Sequence, residues 1–322
     1  MTPFREQAAR IWKEHPALVL YGLVMLVLST ITTIGIFVDP RIVTGQPVWI
    51  KPTKFALSTT IYSFSFVWLL TFVQGRPRLK AIAAWGTLIG FVMELAVIIF
   101  QAARGVSSHF NVSTPLDGVL WGVMANFVVL LWLMNILLAV LLFQQKFTNP
   151  ALAWTLRLAT VTAIFGAALA FYMTTPTAAQ LAQVQATGEM PIVGAHSVGV
   201  PDGGPGLPFV GWSTEGGDVR PAHFFGLHAL QVVPLLGWLV MALPWVWLSE
   251  RHRTLLAVTG AVGYFGFVTL LFWQALRAQP IIAPDALTLG ALAALVAAVV
   301  AVVAATIAHA RLTHNTLQPA TA

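Results

Sequence analysis

The sequence predicts an all-α, polytopic integral membrane protein with eight transmembrane helices, arranged as a parallel duplication of a four-helix unit. Three observations carry this. Hydrophobic residues make up 58% of the 322 residues and charged residues only 9%, against about 25% charged in an ordinary globular domain. So few charges cannot cover the surface of a water-soluble protein of this size. The apolar residues gather into eight runs of membrane-spanning length, and two short polar motifs recur in order in the second half.

A bilayer core of about 30 Å needs roughly 20 helical residues. The runs lie near 17–38, 54–73, 81–102, 118–143, 155–174, 222–247, 254–276 and 286–308. The first is too long for a signal-peptide core and lacks a small-residue cleavage pattern, so it is expected to stay as a helix. The last carries no charge and is mostly Ala, Val and Leu. Its small residues give a smooth surface for close helix packing or a homo-oligomer contact.

Lys and Arg outside the runs set the orientation. With the N-terminus inside, Arg5, Arg10, Lys13, Arg76, Arg78, Lys80, Lys146, Arg157, Arg251, Arg253 and Arg311 are cytoplasmic, which is 11 of 17. Arg41, Lys51, Lys54, Arg104, Arg220 and Arg277 are left outside. Both termini are then cytoplasmic, in the inner membrane of a bacterium, and the long segment 175–221 is outside. The net charge of +6 follows from this flanking pattern and does not call for nucleic acid.

The duplication divides the chain into 1–150 and 151–322. Lys51-Pro52-Thr53-Lys54-Phe55 before the second run matches Arg220-Pro221-Ala222-His223-Phe224 before the sixth. Gln101-Ala102-Ala103-Arg104 after the third run matches Gln274-Ala275-Leu276-Arg277 after the seventh. Each second motif is followed by Pro and then Asp: Pro115 and Asp117, Pro284 and Asp285. Four helices per repeat keep both halves in one orientation, related by an axis along the membrane normal. This four-plus-four plan is similar in outline to that of haem A synthases, although their histidine motifs are not matched residue by residue.

Both motifs fall at outer helix ends, where the positive-inside rule disfavours bases. They define an outer constellation of Lys51, Lys54, Gln101, Arg104, Arg220, His223, His228 and Arg277, with His109 on the connecting loop. Converging bases create a positive potential suited to carboxylates, phosphates or haem propionates. A helix-end base that merely reaches headgroups is the plainer alternative. With no Cys in the chain, imidazole is the remaining strong transition-metal ligand, so His109, His223 and His228 are the metal or haem candidates. His223 and His228, five apart, do not share a helix face. Gln231, three residues after His228, is placed to orient its ring.

Glu94 is the one acidic residue deep within a run, a position that by default marks a proton or cation path. Gln101 and Arg104 continue its face outward. Its counterpart in the second half is Phe267, so the halves have diverged there. A second stripe, Lys54, Ser58, Tyr62 and Ser65, also fits ordinary interhelical hydrogen bonding. Segment 175–221 is rich in Gly and Pro yet holds Phe209, Val210 and Trp212, which reads as a packed lid over an outer cleft.

Three functions are compatible. The first is a membrane redox protein or enzyme with an outer-side cofactor, haem or a transition metal, held by His228 with His223 or His109. Glu94 and His109 are then the catalytic candidates, and Lys51, Lys54, Gln101, Arg104, Arg220 and Arg277 hold anionic groups. Its partner is quinone or another small anionic or lipid-soluble substrate. The second is a proton-coupled transporter or channel for a small anion, with Glu94 as its proton site. The third is a cofactor-free assembly or sensory subunit.

Overall fold

The structure, a computed structural model, describes residues 4–317. Each of the eight apolar runs is helical. The helices are α1 (Phe4–Glu14), α2 (Pro16–Val38), α3 (Ile50–Leu70), α4 (Pro77–Arg104), α5 (Pro115–Gln144), α6 (Pro150–Met173), α7 (Ala178–Thr187), α8 (Arg220–Leu227), α9 (Ala229–Ala242), α10 (Glu250–Leu276) and α11 (Ala286–Leu317). Two short antiparallel pairs, β1 (Ile42–Val43) with β2 (Gln46–Pro47) and β3 (Ser197–Val198) with β4 (Gly217–Asp218), sit in the connections.

Local chemistry places the helix ends. Pro stands at the start of α2, α4, α5 and α6, where its missing N–H leaves no bond unmade. His15, Thr114 and Asn149 cap α2, α5 and α6 by accepting the N–H of Leu18, Asp117 and Leu152. Gly105 ends α4 in the left-handed region, which costs a glycine little.

Six helices, α2, α4, α5, α6, α10 and α11, are long and apolar enough to cross a membrane. The chain is therefore an integral membrane protein. Helices α8 and α9, bent by 50° at His228, make a seventh span if taken as one; Gly226 and Pro234 bracket that break. The expected eighth span, α3, is a 21-residue helix that falls short of the same test. Its first turn carries Lys51 and Lys54, and its buried face carries Thr53, Thr59, Thr60 and Ser63.

Helices pack in chain order: α2 on α3, α3 on α4, α4 on α5, α5 on α6, α6 on α8 and α9, and α10 on α6, α9 and α11. The main apolar core, with Leu18, Phe66, Leu70, Phe91, Leu138 and Leu142, lies among α2, α3, α4 and α5. A smaller core of Phe110, Leu169, Val219 and Leu271 sits beneath the outer loops. Amphipathic α1 is tied to the opposite end by Arg10 donating to the Thr71 carbonyl and by the Lys80–Glu14 ion pair.

The tightest crossing joins α6 to α8. A Cβ built on Gly166 meets the Gly226 Cα at 2.5 Å, so the two backbones touch as small-residue membrane contacts do. Gly166→Ala is expected to lower stability by about 1–3 kcal/mol, read as a lower thermal midpoint in mild detergent. Gly122→Ala, where nothing lies within 4 Å, serves as the control and should not lower it.

Candidate flap-covered cavity

The segment between α6 and α8 folds back over the helix ends on the side of the bundle away from α1. Backbone bonds fix it there: Val112 N–H to the Pro191 carbonyl, Val193 N–H to the Phe110 carbonyl and Ala195 N–H to the Met173 carbonyl. Beneath it lies a cavity of about 1020 Å³, at the upper end of the range for small-molecule sites. Its walls come from the β1–β2 hairpin, the start of α3, the outer part of α4, the 106–110 loop and the flap. The lining mixes Ile50, Ile98, Phe110 and Ile192 with Lys51, Lys54, His109, His196, Asp202 and Arg220.

The three cations differ in their partners. Arg220 is held by Asp218, with Nε 2.9 Å from Oδ1, and donates to the Gly211 carbonyl at 2.6 Å. Gly211 is at φ +68, and a side chain there would strike Gln46. Lys54 Nζ donates to Gln46 Oε1 at 3.2 Å and to the Val210 carbonyl at 3.0 Å. Both therefore fasten the flap to the bundle. Lys51, one turn before Lys54, lines the cavity and makes no hydrogen bond or ion pair among the described residues.

The histidines separate into different roles. His109 lies in an aromatic nest with Phe55, Phe110 and Trp121, its ring centroid 5.8, 6.1 and 5.6 Å from theirs. Ser108 Oγ is 3.2 Å from its Nδ1. Burial first, and the charge of Lys51 second, hold its imidazole well below the ordinary range, so it stands neutral. His223 Nδ1 lies 2.8 Å from the Gly166 carbonyl. His228 bonds Gln231 at 3.0 Å and lies against Phe224, and Gln231 in turn donates to Ser65 of α3 at 2.7 Å. Neither His223 nor His228 is part of the cavity lining.

The expected metal set is thus not assembled. Among the described residues no group of three or more His, Asp or Glu is placed to hold a metal ion. The reason is local: His223 and His228 each have a nearer hydrogen-bond partner, the Gly166 carbonyl and Gln231.

Arg104, Gln101 and Arg277, expected beside an anionic ligand, are engaged elsewhere. Arg104 and Gln101 both bond Asp117 Oδ1, at 2.5 and 2.8 Å. Asp117 is only 2% exposed and also accepts from Thr114. Arg277 pairs with Asp285 at 2.5 Å and donates to Thr288. In each case an Asp at the start of the next helix takes the base. Glu94 is 3% exposed, and neither carboxylate oxygen has a hydrogen-bond partner.

One pair on the cavity wall escaped the sequence reading. His196 Nδ1 lies 2.7 Å from Asp202 Oδ2, while the His196 and Ser197 N–H groups donate to the same carboxylate. Burial raises the Asp202 carboxyl and is its largest single influence, but the bonds from His196 and the backbone bring it out below the usual range. Burial, partly opposed by Asp202, lowers His196. The available signal was that His196 is the only histidine in 175–221.

Comparison with known protein families, characterised proteins and solved structures gives no match to this chain.

With His109 and His196 both held neutral, the unfolded loops bind protons that the folded ones refuse. Stability present above the free imidazole value of about 6.5 is therefore lost as pH falls below it. Backbone amides of 190–220, followed by hydrogen exchange and corrected for intrinsic rates, are expected to lose protection between pH 7.5 and 5.5. Unchanged protection would contradict the burial of these rings.

Proposed function

We propose that this protein binds an amphiphilic anion in its outer cavity, as the substrate or cofactor site of a membrane enzyme or redox protein. The observation that carries this reading is Lys51, a cation on the wall of a 1020 Å³ cavity without an anionic partner. Among the cavity's charges, Lys51, Lys54 and Arg220 face the carboxylates of Asp202 and Asp218, so one positive charge is left over. The apolar lining suits a hydrocarbon or ring body, and the cation suits a carboxylate, phosphate or sulfonate head. A haem with its propionates is one member of that class; a bare transition metal is not supported by the residues present.

This reading places the flap on the outer side and both termini in the cytoplasm of a bacterial inner membrane. It takes α3 as an eighth span, whose polar groups face protein instead of lipid. It also keeps the duplication. The supporting observations are two equivalent staples, Arg104–Asp117 and Arg277–Asp285, and two helices, α3 and α8, that begin with a base followed by Pro.

The test uses protein purified in mild detergent, titrated calorimetrically with hexanesulfonate and with hexanol. The sulfonate is expected to bind and the alcohol to bind far more weakly. A charge-assisted contact is worth about 1.5–3 kcal/mol, so Lys51→Ala should weaken the sulfonate at least tenfold. Arg277→Ala should leave it unchanged. Equal binding of sulfonate and alcohol would overturn the reading. A Soret band in the purified protein would identify the anion as haem, and a colourless protein would remove haem from the class.

A further inference from the structure

A second unpaired group lies directly below the cavity. Glu94 is about 15 Å from the outer end of α4 at 1.5 Å per residue, near the middle of the bundle. Ile98, one turn outward on the same face, is part of the cavity wall. Two other buried hydroxyls, Ser63 of α3 and Thr87 of α4, also lack hydrogen-bond partners among the described residues. Buried polar atoms are seldom left this way, and a carboxyl at this depth is costly unless neutral or compensated.

The charges around Glu94 are few. From α2 it faces Tyr21, whose hydroxyl bonds Thr59 and the Phe91 carbonyl. From α3 the charge that reaches it is that of Lys51. Around Lys51 stand Lys54, Arg220, Asp202, His109 and His196. Lys54 is latched by neutral oxygens, Arg220 is neutralised by Asp218, and both imidazoles are uncharged. The Asp202 carboxylate offsets one of the two lysine charges, and the one positive charge left over has two compensators: an ionised Glu94 or an anion in the cavity.

We propose that these compensators exclude one another, so that Glu94 takes up a proton when the cavity takes up its anion. With the cavity free of anion, the Glu94 carboxylate balances Lys51. With an anion beside Lys51, a second negative charge in the low-dielectric interior loses its counter-ion, and the carboxylate adds one proton from solvent to become the neutral acid. No covalent bond other than O–H forms, and the net charge of the interior stays constant. This inference rests on the anion site described above and adds its proton linkage.

Hexanesulfonate is the probe, because it does not itself titrate near neutral pH. Added at saturation to weakly buffered protein in detergent, it should be accompanied by uptake of close to one proton per chain, read with a pH indicator. Its affinity should fall with rising pH, approaching tenfold per unit where Glu94 is ionised before binding. Glu94→Gln should still bind the sulfonate, take up no proton and lose this pH dependence, while Glu94→Asp should retain both. Binding without uptake in the parent protein, or uptake that persists in Glu94→Gln, overturns the linkage alone and leaves the anion site standing. No sulfonate binding at all overturns the site and the linkage together. In the parent protein, a carboxylic-acid C=O infrared band that appears on sulfonate binding reads the same proton at Glu94, so the linkage stays testable if a variant fails to fold, and saturating binding without that band overturns it.

Discussion

Charge compensation in a low-dielectric setting governs the flap-covered half of this molecule. Taking an ion out of water costs several kcal/mol even after relaxation, so each charge among the helix ends needs an answer. Most receive one locally. Arg104 meets Asp117 and Arg277 meets Asp285, in both cases an acid at the start of the following helix. Arg220 meets Asp218 two residues away. These pairs close the interhelical turns and pin the helix ends. Lys51 and Glu94 stand outside this pattern, and they are one turn or less from the same cavity wall.

Packing then decides which groups share a space. The close approach of Gly166 to Gly226 presses α8 onto α6 and sets the height of Arg220. From there Arg220 reaches the Gly211 carbonyl, as Lys54 from α3 reaches that of Val210. The flap is thereby fastened from both halves of the chain at adjacent carbonyls. His196 and Asp202 arrive on the cavity wall as a consequence of that fastening.

Much of this was legible in the residues. Each long apolar run became a helix, because length and hydropathy suffice where the solvent is lipid. Lys51, Lys54 and Arg220, read as bases at two Pro-containing helix starts, do line one cavity. The flap was recognisable from aromatic residues inside a Gly- and Pro-rich stretch. Pairing was not legible: nothing in the spacing of Arg104 and Asp117, or of Arg277 and Asp285, distinguishes a helix-end staple from a ligand clamp. The histidines failed for a related reason. His223 finds a backbone carbonyl exposed only because residue 166 is glycine, a tertiary fact. The His196–Asp202 pair depends on a loop conformation with no periodic signal. Helix α3 falls below the other six in hydropathy because Lys51, Lys54 and its Ser and Thr residues lower the average.

The fastening of Lys54 has an electrical side effect. Amide oxygens stabilise an ammonium group without cancelling its charge, so the latch holds while its field persists. Together with Lys51, it leaves the mouth of the hollow electropositive toward bulk solution, where ions approach. Such a field draws oppositely charged solutes in faster than diffusion alone, and mobile counter-ions blunt it over about 8 Å at physiological ionic strength. The rate at which the hollow captures a dissolved anion should then depend on the ionic strength of the solution at its mouth, while the strength of a contact set deeper, at Lys51, should depend on it much less.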